Sequence, residues 1–246
     1  YSSAASDVYK RQLFVRALDR GIGYATLIDA YGMVELSGAV AARIYPPLAP
    51  ERQGDILTFA LPPYRLRVVD DDDQEVAVGA VGELMVHGPG VLRGYHGNDD
   101  ATRAARTDEG WLRTGDLMRR ERLGLVRYVG RKKDVIKHGG YSVFSSEIEE
   151  VLRSHSGVLD AAAIGRPDPI KGEVPIAFVE LAAEATVDAA ALEQWASERL
   201  ADYKTPQKVT ILSSLPRTGT GKVAKALLRS QLEDFRSASA LSQNAR

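Results

Sequence analysis

The chain has 246 residues, 44% hydrophobic and 26% charged, which is enough for one large domain or two small ones, each with its own core. A net charge of -1 gives no overall basic field and argues against nucleic acid or an anionic membrane surface as partner. With no cysteine, disulfides, thiolate metal centres and a cysteine nucleophile are excluded; no apolar run reaches the ~20 residues of a membrane span and the start lacks a signal-peptide core, so cytoplasm is the default expectation.

Tyr1–Gln12 is small, polar and aperiodic, and is set aside as a foreign or frayed lead. Leu13, Phe14, Ala17 and Leu18 have helical spacing, closed by Gly21–Gly23, and Ala25–Ile28 suits a short buried strand. That places YGMVE, Tyr31–Glu35, in the loop at the strand's C-terminal end, where α/β proteins bind ligands. Gly32 there would let backbone approach a nucleotide, and Glu35 supplies a hard oxygen suited to Mg²⁺. A plain loop with a solvated Glu is the alternative.

Tyr64–Val69, Glu83–His87 and Leu125–Val129 alternate apolar and polar residues between Pro, Gly and Asp turns, predicting a β-rich subdomain. The acidic run Asp70–Asp73 reads as a solvated hairpin turn, because four consecutive carboxylates do not easily converge on one ion. In GWLRTGD, Gly110–Asp116, a rigid Trp and a Gly turn can aim the terminal carboxylate into a pocket, where it could accept two ribose hydroxyls. The plainer reading puts Trp111 in the core and has Asp116 cap a turn.

GRKKDVIKHGGYSVFSSEIE, Gly130–Glu149, combines a basic turn suited to a hinge, an apolar run, a Gly-Gly break and a helix start. Gly139 and Gly140 permit positive φ and close approach of a ligand, Ser146 and Glu149 have capping-box spacing, and Ile148, Val151 and Leu152 give the helix an apolar face. Val158–Ile164, Val174–Leu181 and Lys208–Leu212 predict strands, and Asp188 an N-cap before a helix with Leu192, Trp195, Ala196, Arg199 and Leu200 on one face. LPRTGTGK, Leu215–Lys222, fails the phosphate-loop pattern, with Pro216 and Val223 where Gly and Ser or Thr are needed. It remains a Gly-rich loop with one lysine, or simply a hairpin tip, followed by a helix with Val223, Leu227, Leu228, Gln231 and Leu232 on one side. The tail Phe235–Arg246 is expected to fray.

Taken in order, YGMVE, GWLRTGD, the stretch Gly130–Glu149 and LPRTGTGK resemble the motifs of the adenylate-forming acyl-CoA synthetase and ligase superfamily, over about Leu13 to Leu232. The resemblance implies the end of a large AMP-binding domain, α/β with a β-rich subdomain (13–130), then a small, mobile α+β C-terminal domain (131–234). It also implies that a carboxylic acid is activated with ATP and Mg²⁺ and passed to CoA. By resemblance, Tyr31 stacks near adenine, Glu35 holds Mg²⁺, Asp116 binds ribose with help from Arg131, Lys133 is the hinge, Gly139 and Gly140 line the thiol's approach, and Lys222 is the catalytic lysine. Two positions depart from the family pattern: Val34 stands where Thr is usual and Ser145 where Pro is common. No Ser/Thr/Gly-rich phosphate loop precedes Tyr31, so the chain is expected to be a truncated enzyme. An amino-acid adenylation module of a peptide synthetase and a non-catalytic remnant of the same fold are the competing expectations.

Overall fold

A computed structural model of the protein describes residues 27–45, 58–219 and 221–232. The lead Tyr1–Gln12, the helix predicted around Leu13–Leu18 and the tail from Phe235 lie outside these. The described residues fall into two compact units, with the division in the chain between Lys133 and Asp134. The sequence reading divides the chain after Gly130. Arg131 still pairs with Asp116 across strands of the first unit, and Lys132 is bonded to Asp71 and Glu83 of that unit.

The first unit is built from antiparallel strands. β1 (Leu27–Met33) pairs with β2 (Gly38–Tyr45), and β2 with β3 (Phe59–Ala60). A second sheet runs in the order β4 (Arg65–Val69), β5 (Val81–His87), β6 (Leu112–Arg120), β7 (Val126–Arg131). Helix α1 (Asp99–Ala105) precedes β6, its first turn closed by the Asn98 side chain, which accepts from the Ala101 amide at 3.0 Å. Leu36, in the turn between β1 and β2, and Val40 of β2 pack with Val68, Leu84, Val86, Leu112, Met118 and Val126 of the second sheet in one core. The alternation in RLRVV explains its placement: Leu66 and Val68 turn to this core while Arg65 and Arg67 cover Trp111 on the other face. Two expectations are corrected. β1 does not stop at Ile28 but continues to Met33, so Tyr31 and Gly32 are strand residues. GWLRTGD is not a turn with a terminal carboxylate, because LRTGD opens the nine-residue strand β6.

The second unit is α+β. β8 (Val135–His138) and β9 (Tyr141–Phe144) form a hairpin around Gly139 and Gly140, followed by α2 (Ser145–Arg153), β10 (Val158–Asp168), β11 (Gly172–Leu181), α3 (Ala189–Ser197), β12 (Val209–Leu212) and helix α4, described over 225–232. The long antiparallel pair β10–β11 is its spine, with β12 parallel to β11 and β8 meeting β11 at Gly172. Successive residues of β10 serve opposite faces: Ala161 and Ala163 join Ile148, Leu152 and Leu192 under α2 and α3, while Ala162 and Ile164 join Phe178, Leu215 and Leu228 under α4. A sheet covered on both faces accounts for the near-continuous apolar runs of its strands. Asp188 caps α3 as predicted, accepting from the Ala191 amide at 2.8 Å. Ser146 does not cap α2 but lies inside it. Phe144 takes the N-cap position without a side-chain bond, and Glu149 accepts instead from the Ala163 amide at 2.9 Å and pairs with Lys225 at 2.6 Å. Arg199 and Leu200 lie beyond the end of α3, and Leu227 is exposed rather than on the buried face of α4. No helix among the described residues is long and apolar enough to cross a membrane.

Candidate functional site

Tyr31, Asp116 and Arg131 come from three different strands and converge. The Tyr31 hydroxyl donates to Asp116 Oδ2 at 2.6 Å, and Arg131 Nε lies 2.8 Å from Oδ1 of the same carboxylate. Asp116 is only 3% exposed, so its charge depends on these partners.

The strand pairings that deliver these side chains are irregular at each point. Between Tyr31 and Gly32 the register of β1 shifts because β2 carries an extra residue, Val40. On β6, Thr114, Gly115 and Asp116 stand where β5 offers only Leu84, with Gly115 at φ +71°, and β7 in turn carries an extra residue, Val129, opposite Leu117 and Met118. A bulge re-aims side chains that strict alternation would send elsewhere. The freed polar groups are satisfied locally: Thr114 Oγ1 donates to Leu84 O at 2.8 Å and accepts from the Asp116 amide, while the Gly115 amide donates to Glu83 Oε1 at 3.0 Å. Gly32 has a local reason as well. A Cβ there would lie 2.1 Å from Gly38 O, so the bulged hairpin itself demands a glycine, whereas the sequence reading assigned that need to a nucleotide.

The electrostatics follow from burial. Desolvation, and then the adjacent Asp116 charge, push the Tyr31 phenol far above its usual range, keeping it a donor. Burial works against the charge of Arg131, but Asp116, with Tyr128 and Tyr31, more than offsets it and the guanidinium pKa rises. Thr114, Gly115, Arg131, Lys132 and Lys133 line an open concavity of about 390 Å³ beside this cluster. Lys132 is held by Asp71 at 2.8 Å and Glu83 at 3.0 Å, whereas Lys133 is exposed.

Glu35 lies in a 3₁₀ turn, Val34–Leu36, and its Oε1 accepts from the Tyr95 hydroxyl at 3.2 Å. Sequence reading missed Tyr95, which ends a segment with no apparent chemistry. Val34, at the position of the family's threonine, is 92% exposed. Asp70–Asp73 forms an exposed turn, Asp70 Oδ1 accepting from the Asp72 and Gln74 amides. Among the described residues no group of three carboxylates or histidines could hold a metal ion. One carboxylate is nevertheless a sufficient protein ligand for Mg²⁺ that is otherwise held by phosphates and water, so Glu35 fits that role.

In the second unit Gly139 and Gly140, at φ +56° and +85°, form a two-residue hairpin loop, open on the side where a Cβ would point. Lys222 is exposed in a tight loop in which the Thr218 amide donates to Lys222 O at 2.7 Å and the Gly221 amide to Thr218 O at 2.8 Å. Both loops are tied to the same β10–β11 pair, but at opposite ends. The Gly139 amide donates to Lys171 O beside Gly172, while the neck of the Lys222 loop is bonded to Glu180. From Gly172 to Glu180 is eight residues of extended strand, about 26 Å.

Comparison with known proteins places the chain in a family. The models of the AMP-binding enzyme and of the AMP-binding enzyme C-terminal domain match residues 4–96 and 147–222. The first match begins within the stretch Tyr1–Gln12 that the sequence reading sets aside. The chain is 37% identical over 205 residues to a long-chain-fatty-acid–CoA ligase of Salmonella typhimurium, covering 83% of this chain and 36% of the relative. It is 39% identical over 209 residues to the sulfoacetate–CoA ligase of Cupriavidus necator, covering 85% and 40%. Its fold superposes on ATP-bound MatB of Rhodopseudomonas palustris with a TM-score of 0.78 at 32% identity, over 89% of this chain and 43% of that one. For MenE of Bacillus subtilis in complex with ATP and magnesium the TM-score is 0.75 at 30% identity, over 89% and 44%. The chain belongs to the adenylate-forming acyl-CoA synthetase and ligase superfamily. It spans about two fifths of the length of these relatives.

Proposed function

We propose that the chain is the C-terminal part of an ATP-dependent, AMP-forming ligase that joins a carboxylic acid to CoA. The observation that carries this reading is the anchoring of the Gly139–Gly140 turn and of the Lys222 loop at opposite ends of one hairpin, on strand residues about 26 Å apart. Two loops so separated on one rigid unit cannot serve one reacting carbonyl in a single orientation. They suit a reaction with two steps and a unit that turns between them.

In the first step a carboxylate oxygen attacks the α-phosphorus of ATP, the bond to the β,γ-diphosphate breaks, and pyrophosphate leaves. Two anions must approach, and the Lys222 ammonium, which has no ion-pair partner among the described residues, supplies compensating charge. Asp116 receives the ribose hydroxyls; the Tyr31 hydroxyl bonds one of its oxygens, and the other, ion-paired with Arg131, takes no aligned hydrogen bond from the described residues and keeps acceptor capacity. Tyr31 offers its ring to adenine. Bound at Glu35, Mg²⁺ would neutralise phosphate charge. In the second step the thiol sulfur of CoA attacks the acyl carbon, its proton passes to solvent, and AMP departs with the bonding pair. The open side of Gly139 and Gly140 gives the thiol arm backbone to lie against, and Lys133, exposed between two units, is the pivot.

The test is to express the chain together with the coding sequence that precedes Tyr1 and to follow ATP–pyrophosphate exchange and thioester formation across a panel of acids. Exchange dependent on Lys222 and Asp116 is expected. Ligand-independent inertness of a chain of the relatives' full length would overturn the reading in favour of a non-catalytic remnant.

A further inference from the structure

Asp160 and Glu180 face each other directly across β10 and β11 and are both largely buried. Like charges in a cross-strand pair destabilise a sheet, and burial makes the repulsion worse. A pair of this kind needs a cation between its members. Arg153 lies 3.5 Å from Asp160, but it is shared with Glu149 at 3.8 Å, donates to Ala161 O at 3.0 Å, and does not reach Glu180. The group that bridges the pair is Arg217, whose Nη2 lies 3.1 Å from Asp160 Oδ2 and 3.2 Å from Glu180 Oε2.

Arg217 is not part of the sheet. It stands at the neck of the Lys222 loop, and its Nη1 reaches across that neck to donate to Gly221 O at 3.3 Å. Glu180 Oε2 also accepts from the Leu215 amide at 2.9 Å, fixing the segment that enters the loop. The neck is closed further by the bridge between Arg217 and Val223 and by the Ala224 amide donating to Pro216 O at 2.7 Å. One guanidinium therefore ties the residue before Lys222 to two carboxylates on the spine of the unit. Arg suits the task because its planar fork makes bonds in several directions at once, which an ammonium on a flexible stem does not.

We propose that Arg217 is a positioning residue for Lys222: seated between Asp160 and Glu180, it clamps the loop so that the lysine turns with the β10–β11 hairpin as one body. The clamp is a claim about loop geometry; its consequence for chemistry rests on the ligase reading above, and the experiments separate the two.

The clamp is tested on the 246-residue chain by amide exchange and thermal melting. Arg217→Lys keeps a positive charge beside the two carboxylates but loses the fork, so the melting temperature should stay near that of the parent while the Thr218, Gly221 and Ala224 amides exchange at least tenfold faster. Arg217→Met should lower the melting temperature as well, and Asp160→Asn with Glu180→Gln, which removes the seat but keeps Arg217, should also speed exchange of the loop amides. Protection of these amides in Arg217→Lys equal to the parent's would overturn the clamp. The functional consequence is read in the longer enzyme: Arg217→Lys should lower kcat of the adenylation step about tenfold or more with little change in KM for ATP. A rise in KM with kcat preserved would overturn the positioning role and make Arg217 a nucleotide ligand. A longer enzyme in which the parent itself is inert, with the exchange result intact, would count against the ligase reading alone and leave the clamp standing.

Discussion

Asp116 and Arg131 stand opposite each other on β6 and β7, joined by a 2.8 Å contact, and the Tyr31 hydroxyl holds the other oxygen of the same carboxylate. A buried carboxylate with two donors is a coupled unit, so its members should not contribute additively. Tyr31→Phe is expected to cost about 1.5–3 kcal/mol, the range for a hydrogen bond to a charged group. Asp116→Asn should cost a similar amount, and the double variant clearly less than the sum. Denaturant unfolding of the four proteins checks this; strict additivity would mean that the pair is not coupled.

The same phenol predicts an alkaline limb of stability. Its folded-state pKa is raised above the unfolded value near 10, so above about pH 10 the unfolded chain loses a proton that the folded chain keeps. The stabilisation is complete below that pH and declines above it, by up to ~1.4 kcal/mol per pH unit. Tyr31→Phe should remove this component. Spectrophotometric titration gives a second check: below pH 11 the folded variant should ionise as many tyrosines as the parent.

If Lys222 serves only the first step, Lys222→Ala should depress adenylation by on the order of 10² to 10³ while thioester formation from supplied acyl adenylate survives. Gly140 should show the reverse. At φ +85° any side chain is strained, so Gly140→Ala already perturbs the hairpin loop, and Gly140→Leu adds bulk to its open side. Lys133→Pro, fixing φ at the pivot, should resemble Gly140→Leu. Both half-reactions measured on the longer enzyme decide the matter, and equal loss of both steps in Lys222→Ala would remove the case for rotation.

Val34 is 92% exposed, so Val34→Thr should leave stability within ~0.5 kcal/mol of the parent. The restored hydroxyl should improve adenylation by roughly three- to tenfold, the worth of about one hydrogen bond. No gain would mean that the phosphate contact is made elsewhere.

The second unit has its own cores, all from residues beyond Asp134, and should fold alone. Residues 134–246 are expected to melt cooperatively. Within that fragment Glu149→Ala should cost about 3 kcal/mol, because it leaves the buried Ala163 amide unpaired and removes the nearest carboxylate from Lys225, which among the described residues retains only Ser145 at 2.8 Å and Asp134 at 3.9 Å. A loss under ~1 kcal/mol, the scale of a solvent-exposed cap, would show that Glu149 acts as the sequence spacing suggested.

Much of this was legible in the residues because local rules applied. Alternation marked β4, β5 and β7, the pair Gly139–Gly140 marked a positive-φ hairpin loop, and Asp188 marked a cap. What escaped notice depended on partners remote in sequence. β6 was hidden because its bulge places Gly115 and the polar Thr114 and Asp116 in the middle of a strand, which reads as a turn. Ser146 and Glu149 had capping-box spacing, yet Glu149 found a stronger partner in Lys225, 76 positions later. Tyr95, Thr114 and Arg217 carried no signal of their own, since a hydroxyl or a guanidinium acquires a role only from what the fold sets beside it. Tyr31, Asp116 and Arg131 were each identified by motif, but their meeting on one carboxylate was visible only in three dimensions.

The distance between the two ends of the β10–β11 hairpin also bears on how such a protein can change. On the two-step reading proposed above, substitutions around Gly139 and Gly140 would alter which nucleophile is admitted, amine in place of thiol for instance, without disturbing the charged seat of the Lys222 loop eight residues away along the strand. On that reading a lineage would trade its acceptor while keeping its means of activation, because inheritance of the one trait would be mechanically insulated from drift in the other.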